Sequence, residues 1–320
     1  MSSVSRTSSL ESEAISEHSR RTGFGLYARL ILSDKLALGA AIFLILLTLA
    51  TIFAPLVTPF PPNDQSLLLR NKPPMTAAEE DSLIPHVLGT DFLGRDQLTR
   101  LIYGARISLA VGLASVLISG TIGTVLGLLA GYYRGYVDDL IMRTVDIQMG
   151  FPSLLLALVV LYALGASVWN VIFVLAITRW TVYARITRGL VFTYREAVFV
   201  EAAQATGCTD RRVLFKHILP NLLSPVLVLG TLEVATMILT EASLSFLGLG
   251  IQPPDSSWGL MLAEGRQYIT TAWWLVTFPG VAILLTALSL NLLATWARSV
   301  SDPVQRDRIL RPRQPKSATT

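Results

Sequence analysis

Cysteine is almost missing from this chain of 320 residues. Cys208 stands alone, so no intrachain disulfide can form. His18, His86 and His217 are the only histidines and are too scattered to suggest a ligand cluster for a metal. Charge is scarce as well: Asp, Glu, Lys and Arg make up 15% of residues, against roughly 25% in an average soluble domain. The only lysines are Lys35, Lys72, Lys216 and Lys316, and none closes a G-x-x-x-x-G-K-[ST] pattern. The chain therefore has no phosphate-binding P-loop of its own. It also lacks H-E-x-x-H and G-x-S-x-G, which leaves little support for an intramembrane metalloprotease or a serine hydrolase. What is present is apolar: 52% of residues, with a mean hydropathy of +0.55. So much apolar surface can be hidden only in lipid. That excludes a secreted disulfide scaffold, a disordered chain and a cytosolic enzyme.

A helix needs about 20 mostly apolar residues to cross the hydrocarbon, because lipid offers no partner to an unpaired backbone N–H or C=O. Six windows qualify, at about 36–54, 107–131, 141–164, 168–188, 222–247 and 273–297, and Asp146 and Pro152 interrupt the third. The expected class is an all-α polytopic membrane protein with six transmembrane helices. Positive loops tend to stay in the cytoplasm, and this sets the orientation. With the N-terminus inside, only Arg70, Lys72, Arg95, Arg100, Arg106 and Arg266 fall outside, and Arg179 falls within a span. Both termini are then cytoplasmic. Trp169, Trp273 and Trp274 fall at outer ends, and Tyr132, Tyr133 and Trp296 at inner ends, as interfacial aromatics should. The net charge of +4 thus reflects topology rather than nucleic-acid binding. The Ser-rich start is polar for too long before Leu36 to be a cleavable signal peptide. Residues 1–35 are expected to form a flexible cytoplasmic tail, and 304–320 another.

Two outer segments have some length. Residues 55–104 open with turn signals (PFPPND) and carry the acidic run Glu79, Glu80, Asp81; residues 250–272 include IQPPDSSWG. On the inner side, 189–221 is the sizeable loop. It contains EAAQATGCTDRRVLFKHILPN from Glu201 to Asn221. Two short helices are expected there, one ending near Thr206 and the other over about 210–219. Gly207 permits a positive-φ turn between them and Pro220 closes the second. Ala202 and Ala203 offer a small-sided surface that another protein can approach closely. Val213, Leu214 and Ile218 form an apolar stripe beside Arg211, Arg212 and Lys216. By its chemistry alone this helix could equally lie on anionic lipid.

Glu201-Ala202-Ala203, then Gly207, then Leu219-Pro220 resembles the EAA motif of permease subunits of bacterial binding-protein-dependent ABC importers. His217 stands where that motif usually has Ile, with Ile218 beside it, a departure that resembles the peptide branch. The stretches HVLGTDFLGRDQLTRLIYGARISLAVG (86–112) and EASLSFLGLGIQPPDSSWG (241–259) are similar to the oligopeptide, dipeptide and nickel branch, in particular its C-type permease. Ala294-Thr295 depart from the Gly-Asp often found near the end of the sixth span. The resemblance, over about 36–303, implies a type I ABC importer permease fold, with the six spans, the outer loop and the coupling loop 189–221 in one domain. It implies that Glu201, Ala202, Ala203, Gly207, Leu219 and Pro220 couple the chain to an ATPase. The implied partners are a second, homologous permease subunit in a heterodimer, two ABC ATPase subunits that bind the ATP and Mg, and a periplasmic or lipid-anchored substrate-binding protein. The chain itself is then a non-catalytic transport subunit without a bound cofactor, carrying peptides; nickel or another small solute is the alternative. An ATPase-independent secondary carrier is the rival class, but no inverted repeat of the kind such carriers often show is evident.

Ionisable groups at bilayer depth default to a functional hypothesis with a named partner. Glu233 falls near the middle of the fifth span and Arg179 near the middle of the fourth, so the two are candidates for a polar translocation pathway, as a pair. An ion pair that only packs the bundle is the simpler alternative. Glu241, eight residues after Glu233 and about 12 Å further along a helix, is expected near the outer surface. Asp146 is expected to pair with Arg143, and Arg95 and Arg106 with Asp91 or Asp96. Gly112, Gly120, Gly123, Gly127 and Gly131 suit close helix packing in the second span.

Overall fold

The computed structural model describes residues 30–77 and 84–301. The start of the chain to position 29, the acidic run Glu79, Glu80, Asp81 and everything beyond 301 lie outside the described residues, and with them the expected tails, apart from residues 30–35 of the first, where 30–33 are helical and Leu30 is 2% exposed. Helix α1 spans Lys35–Ile52 and is followed by a single turn, α2 (Ala54–Val57). Asp34 caps α1 by accepting from the N–H groups of Leu36 and Ala37 at 3.0 and 3.2 Å. Next comes a two-stranded antiparallel hairpin, β1 (Thr76–Ala77) with β2 (Pro85–His86). Helix α3 then runs over Gln97–Tyr133, capped by Asp96, which accepts from Thr99 N–H at 2.7 Å.

The third window is not one straight helix. Helices α4 (Gly135–Met149) and α5 (Ser153–Leu164) meet at 87° across Gly150, Phe151 and Pro152. Pro152 lacks the N–H that would continue the ladder, so a bend here has an ordinary cause. Helix α6 (Val168–Arg195) follows, then α7 (Val198–Ala205) and the single turn α8 (Asp210–Arg212). A π-helical stretch, Val213–Ile218, leads without a break into α9 (Leu219–Phe246), so that one helical run covers Asp210–Phe246. Helix α10 (Trp258–Gly265) precedes α11 (Trp274–Ser301).

Helices α1, α3, the run ending in α9, and α11 are each long and apolar enough to cross a bilayer, and the bent pair α4–α5 makes a fifth candidate span. Helix α6 has 28 residues, about 42 Å of length, but Arg179, Arg185 and Arg188 make it more polar. One face of it is nonetheless buried: Val171, Val174, Leu175, Tyr183 and Ala184 are each 0% exposed. Six helical segments thus correspond to the six windows.

The closest helix pair is α3 with α6, and glycine makes it possible. A Cβ at Gly123 would lie 2.3 Å from the carbonyl oxygen of Trp180, and one at Gly127 would lie 2.4 Å from that of Ala184. Backbone-to-backbone approach of this kind is how helices associate where no hydrophobic force between them is available. Val111, Val116, Leu175, Tyr183, Met237 and Leu244 form the central core between α3, α6 and α9.

The outer segments are more ordered than their composition suggested. Asp91 accepts from Arg95 Nε and from Arg100 Nη1, each at 2.6 Å, and Arg100 Nη1 also donates to Glu264 on α10 at 2.8 Å. Arg95 therefore pairs with Asp91 as expected, whereas Arg106 is exposed and has no ion pair among the described residues. Asp96 takes His86 instead, Nδ1 to Oδ1 at 2.8 Å, besides capping α3. Trp258 Nε1 donates to Leu101 O at 3.0 Å and Trp274 Nε1 to Thr90 O at 3.1 Å, tying α10 and α11 to this cap. At the opposite end Arg188 holds Asp138 through two hydrogen bonds and Arg134 meets Glu196 at 2.7 Å. Asp146 pairs with Arg185 of α6 rather than with Arg143, its neighbour three residues away. That corrects the local expectation: α4 lies against α6, and the cross-helix arginine is within reach.

Candidate coupling and translocation site

Helix α7 buries Val200 and Ala203, which are three residues apart on one face, and leaves Glu201, Ala202, Gln204 and Ala205 exposed. Ala202 thus supplies the small exposed side chain, while Ala203 belongs to the packing. Gly207 follows at φ +81°, where a side chain would be strained although nothing lies within 4 Å of the place a Cβ would occupy. Its role inside the chain is conformational, not a matter of room. The turn brings Cys208 N–H to the carbonyl of Ala203 at 3.1 Å and starts α8.

Val213, Leu214 and Ile218 are 0%, 2% and 0% exposed and pack with Val200, Leu222, Leu128 and Tyr132 of α3 and Val191 of α6. The apolar stripe that could have faced lipid is turned into the protein. Ile218, beside the departing His217, does the packing, and Leu219 joins the same cluster from partial exposure. Pro220 is exposed and does not close the second helix as expected: the helical run continues through it into α9, with the π-helical stretch Val213–Ile218 immediately before the position whose N–H is missing. The Tyr132 hydroxyl donates to Asp210 Oδ1 at 2.6 Å, and the Arg195 guanidinium lies 5.4 Å from the centre of the Tyr132 ring. What remains outward is Glu201, Ala202, Gly207 and a shallow hollow of about 420 Å³ lined by Thr209, Arg211, Arg212 and Phe215. Its outward chemistry is the Glu201 carboxylate, the Arg211 and Arg212 guanidinium groups and the exposed Phe215 ring.

Arg179 and Glu233 do meet: Nε lies 3.7 Å from Oε2. The contact is ionic but too long for a hydrogen bond, and Glu233 Oε2 has no hydrogen-bond partner among the described residues. The hydroxyl of Tyr183, wholly buried, has none either. The Tyr183 hydroxyl faces Gly230 of α9, where a Cβ would lie 3.8 Å from it. Unpaired polar atoms at this depth are costly.

Glu241, expected toward the outer end of its span, lies beside the outer cap, and there the structure buries it completely, at 0% exposure. Ser108 of α3 donates to one carboxyl oxygen at 3.0 Å and Ser245 to the other at 2.7 Å. Those two hydroxyls in turn accept from the N–H groups of Trp258 and Ile251. Glu241 is therefore the centre of a hydrogen-bonded knot joining α3, α9 and the start of α10. Helical depth alone cannot reveal this, because the segment that covers Glu241 follows later in the chain.

Residues 123–307 match the family model described as "Binding-protein-dependent transport system inner membrane component", and residues 27–74 match "N-terminal TM domain of oligopeptide transport permease C". The chain is 43% identical over 270 residues to the di/tripeptide transport system permease protein DppC of Pseudomonas aeruginosa, covering 84% of this chain and 88% of the relative. It is 39% identical over 290 residues to the glutathione transport system permease protein GsiD of Pectobacterium atrosepticum, covering 90% and 94%. Among solved structures, an inward-facing conformation of the MetNI methionine ABC transporter has a TM-score of 0.47 at 18% identity, covering 62% of this chain and 96% of that one.

Proposed function

The chain belongs to the family of binding-protein-dependent transport system inner membrane components, and on that premise we propose that it is the permease subunit of an ATP-driven importer of peptides. It is not an enzyme: the hydrolysis belongs to partner chains that carry the ATP and Mg. The partners are two ABC ATPase subunits, an external substrate-binding protein, and a second homologous permease that completes the pathway as a heterodimer. The protein lies in the inner membrane with both termini in the cytoplasm, so the α7–α8 loop faces the nucleotide. The substrate assignment leans on relatives named for di- and tripeptide, dipeptide, D,D-dipeptide and glutathione transport.

The observation that carries the proposal is the construction of that loop. Glu201, Ala202 and Gly207 are presented outward on a base that Val200, Val213, Leu214 and Ile218 fuse to α3 and α6. The same chain runs on without a break into α9, which carries Glu233. A push on the loop is thus delivered to the helices that hold the Arg179–Glu233 pair. The π-helical stretch Val213–Ile218 between them is the kind of irregularity that often marks a functional site or hinge. Closure of the ATPases would rock α6 and α9 as packed units and change access to the pair, a bistable rearrangement of the usual sort. Glu201 and Gly207 are the contact, Leu219 and Pro220 the join to α9, and Arg179 and Glu233 part of the pathway. The test is co-purification in detergent: wild-type permease should retain its ATPase, and Glu201→Ala with Gly207→Val should release it without lowering permease yield. Unchanged retention would refute the docking assignment.

A further inference from the structure

The break between α4 and α5 leaves a recess of about 250 Å³ against α6, lined in part by Gln148, Phe151, Ser153, Thr178, Arg179 and Thr181. Helix α5 begins in it with 12 residues and no side-chain cap, and the N–H groups of Ser153, Leu154 and Leu155 find no acceptor among the described residues. A helix end of this kind carries roughly half a positive charge. Arg179 stands in the same recess, and its guanidinium makes no hydrogen bond among the described residues, since Glu233 is 3.7 Å away. Thr181 is 2% exposed and its hydroxyl also lacks a partner among the described residues, whereas that of Thr178 donates to Leu175 O at 3.0 Å. Gln148 offers no counterweight: its amide nitrogen donates to Ile177 O at 2.6 Å and its oxygen accepts from Trp180 Nε1 at 2.9 Å.

The uncommitted groups are therefore donors, and the charge among them is positive. A carboxylate, which only accepts and has about four lone-pair sites, matches the Arg179 guanidinium and the free N–H groups; an ammonium group would meet the positive charge of both, with only hydroxyls and the carboxylate already facing Arg179 to accept from it. We propose that this recess is a subsite for the terminal carboxylate of the transported peptide, held by Arg179, Thr181 and the N-terminus of α5. The assignment rests on the peptide-permease proposal and deepens it. Glu233, on the other side of Arg179, serves as counter-ion while the recess is free of peptide. A broken span whose half-helix N-terminus meets an anionic substrate group is a solution that other membrane carriers also use.

The test uses the assembled complex in proteoliposomes with Ser153→Cys in a Cys208→Ser background, reading the rate at which the introduced thiol reacts with a maleimide. Trialanine should slow labelling about fivefold, the change expected of an interaction of about 1 kcal/mol, while trialanine amide and acetate leave the rate nearly unchanged. Arg179→Gln should abolish the protection. Thr181→Val, which keeps the shape and removes only the hydroxyl, should reduce it and guards against a misfolded arginine variant. Equal protection by the amide or by acetate, or protection that survives Arg179→Gln, overturns the subsite. ATP-driven trialanine uptake measured alongside separates the two levels. Uptake without carboxylate-dependent protection sinks the subsite alone, and absence of uptake for any peptide sinks the peptide assignment as well.

Discussion

Gly207 lets the coupling loop be tested by conformation alone. Its φ of +81° lies in the left-handed region, and the space around its missing side chain is open. An ordinary L-residue held there is strained by about 1–2 kcal/mol, and a β-branched one by at least the upper figure. At about 1.4 kcal/mol per tenfold, that strain disfavours the docked shape of the loop five- to thirtyfold. Asparagine adds a side chain of similar bulk but visits this region far more readily. Gly207→Val should therefore lower ATP-driven peptide uptake, and the fraction of permease that co-purifies with ATPase, by about tenfold or more. Gly207→Asn should keep both within about threefold of wild type. If Asn and Val are equally damaging, the position needs a bare surface rather than a backbone angle, and the argument from φ fails. If Val is harmless, the turn is not part of the coupling device.

Elsewhere burial sets the expected magnitudes. Asp91→Asn leaves Arg95 and Arg100, whose side chains are 6% and 3% exposed, with Glu264 as their one carboxylate, and should destabilise the outer cap by less than the ~3–5 kcal/mol of a wholly unpaired buried charge, seen as faster proteolysis of the loop. Asp146→Asn breaks a pair that is 48% and 67% exposed and should change thermal stability by less than about 1 kcal/mol. Gly127→Ala would bring a Cβ to 2.4 Å from Ala184 O and should cost about 1–3 kcal/mol, read as a lower detergent melting temperature. Glu241→Leu leaves the Ser108 and Ser245 hydroxyls without their acceptor and should cost at least about 1–3 kcal/mol, while Glu241→Gln should cost less because one carbonyl acceptor remains.

How much the sequence disclosed follows from range. The apolar windows, the Gly207 turn and the glycine face of α3 are local patterns; each window has a helical counterpart, the third as two helices meeting at 87°. Even the Arg179–Glu233 pair could be foreseen, because two charges at the same bilayer depth have few other partners. Contacts between distant segments were not legible. Arg100 and Glu264 are separated by 164 positions, and Glu241 is covered by a segment whose own composition says only that it bends. Asp146 shows the same limit on a shorter scale, since its partner was fixed by how α4 lies on α6 rather than by helical spacing. Asp146 and Pro152 announced a weak point in the third span but not an 87° turn with a recess behind it.

The central claim is that an ATPase grips the α7–α8 loop, and neighbouring alanines allow it to be tested directly. Ala202 is exposed and Ala203 is 8% exposed, so in a Cys208→Ser background a photoreactive maleimide on Ala202→Cys should form an adduct with the ATPase subunit in native membranes, and one on Ala203→Cys should not. An adduct at both positions or at neither, or labelling of Ala202→Cys by a membrane-impermeant reagent from the outer side, would contradict the account.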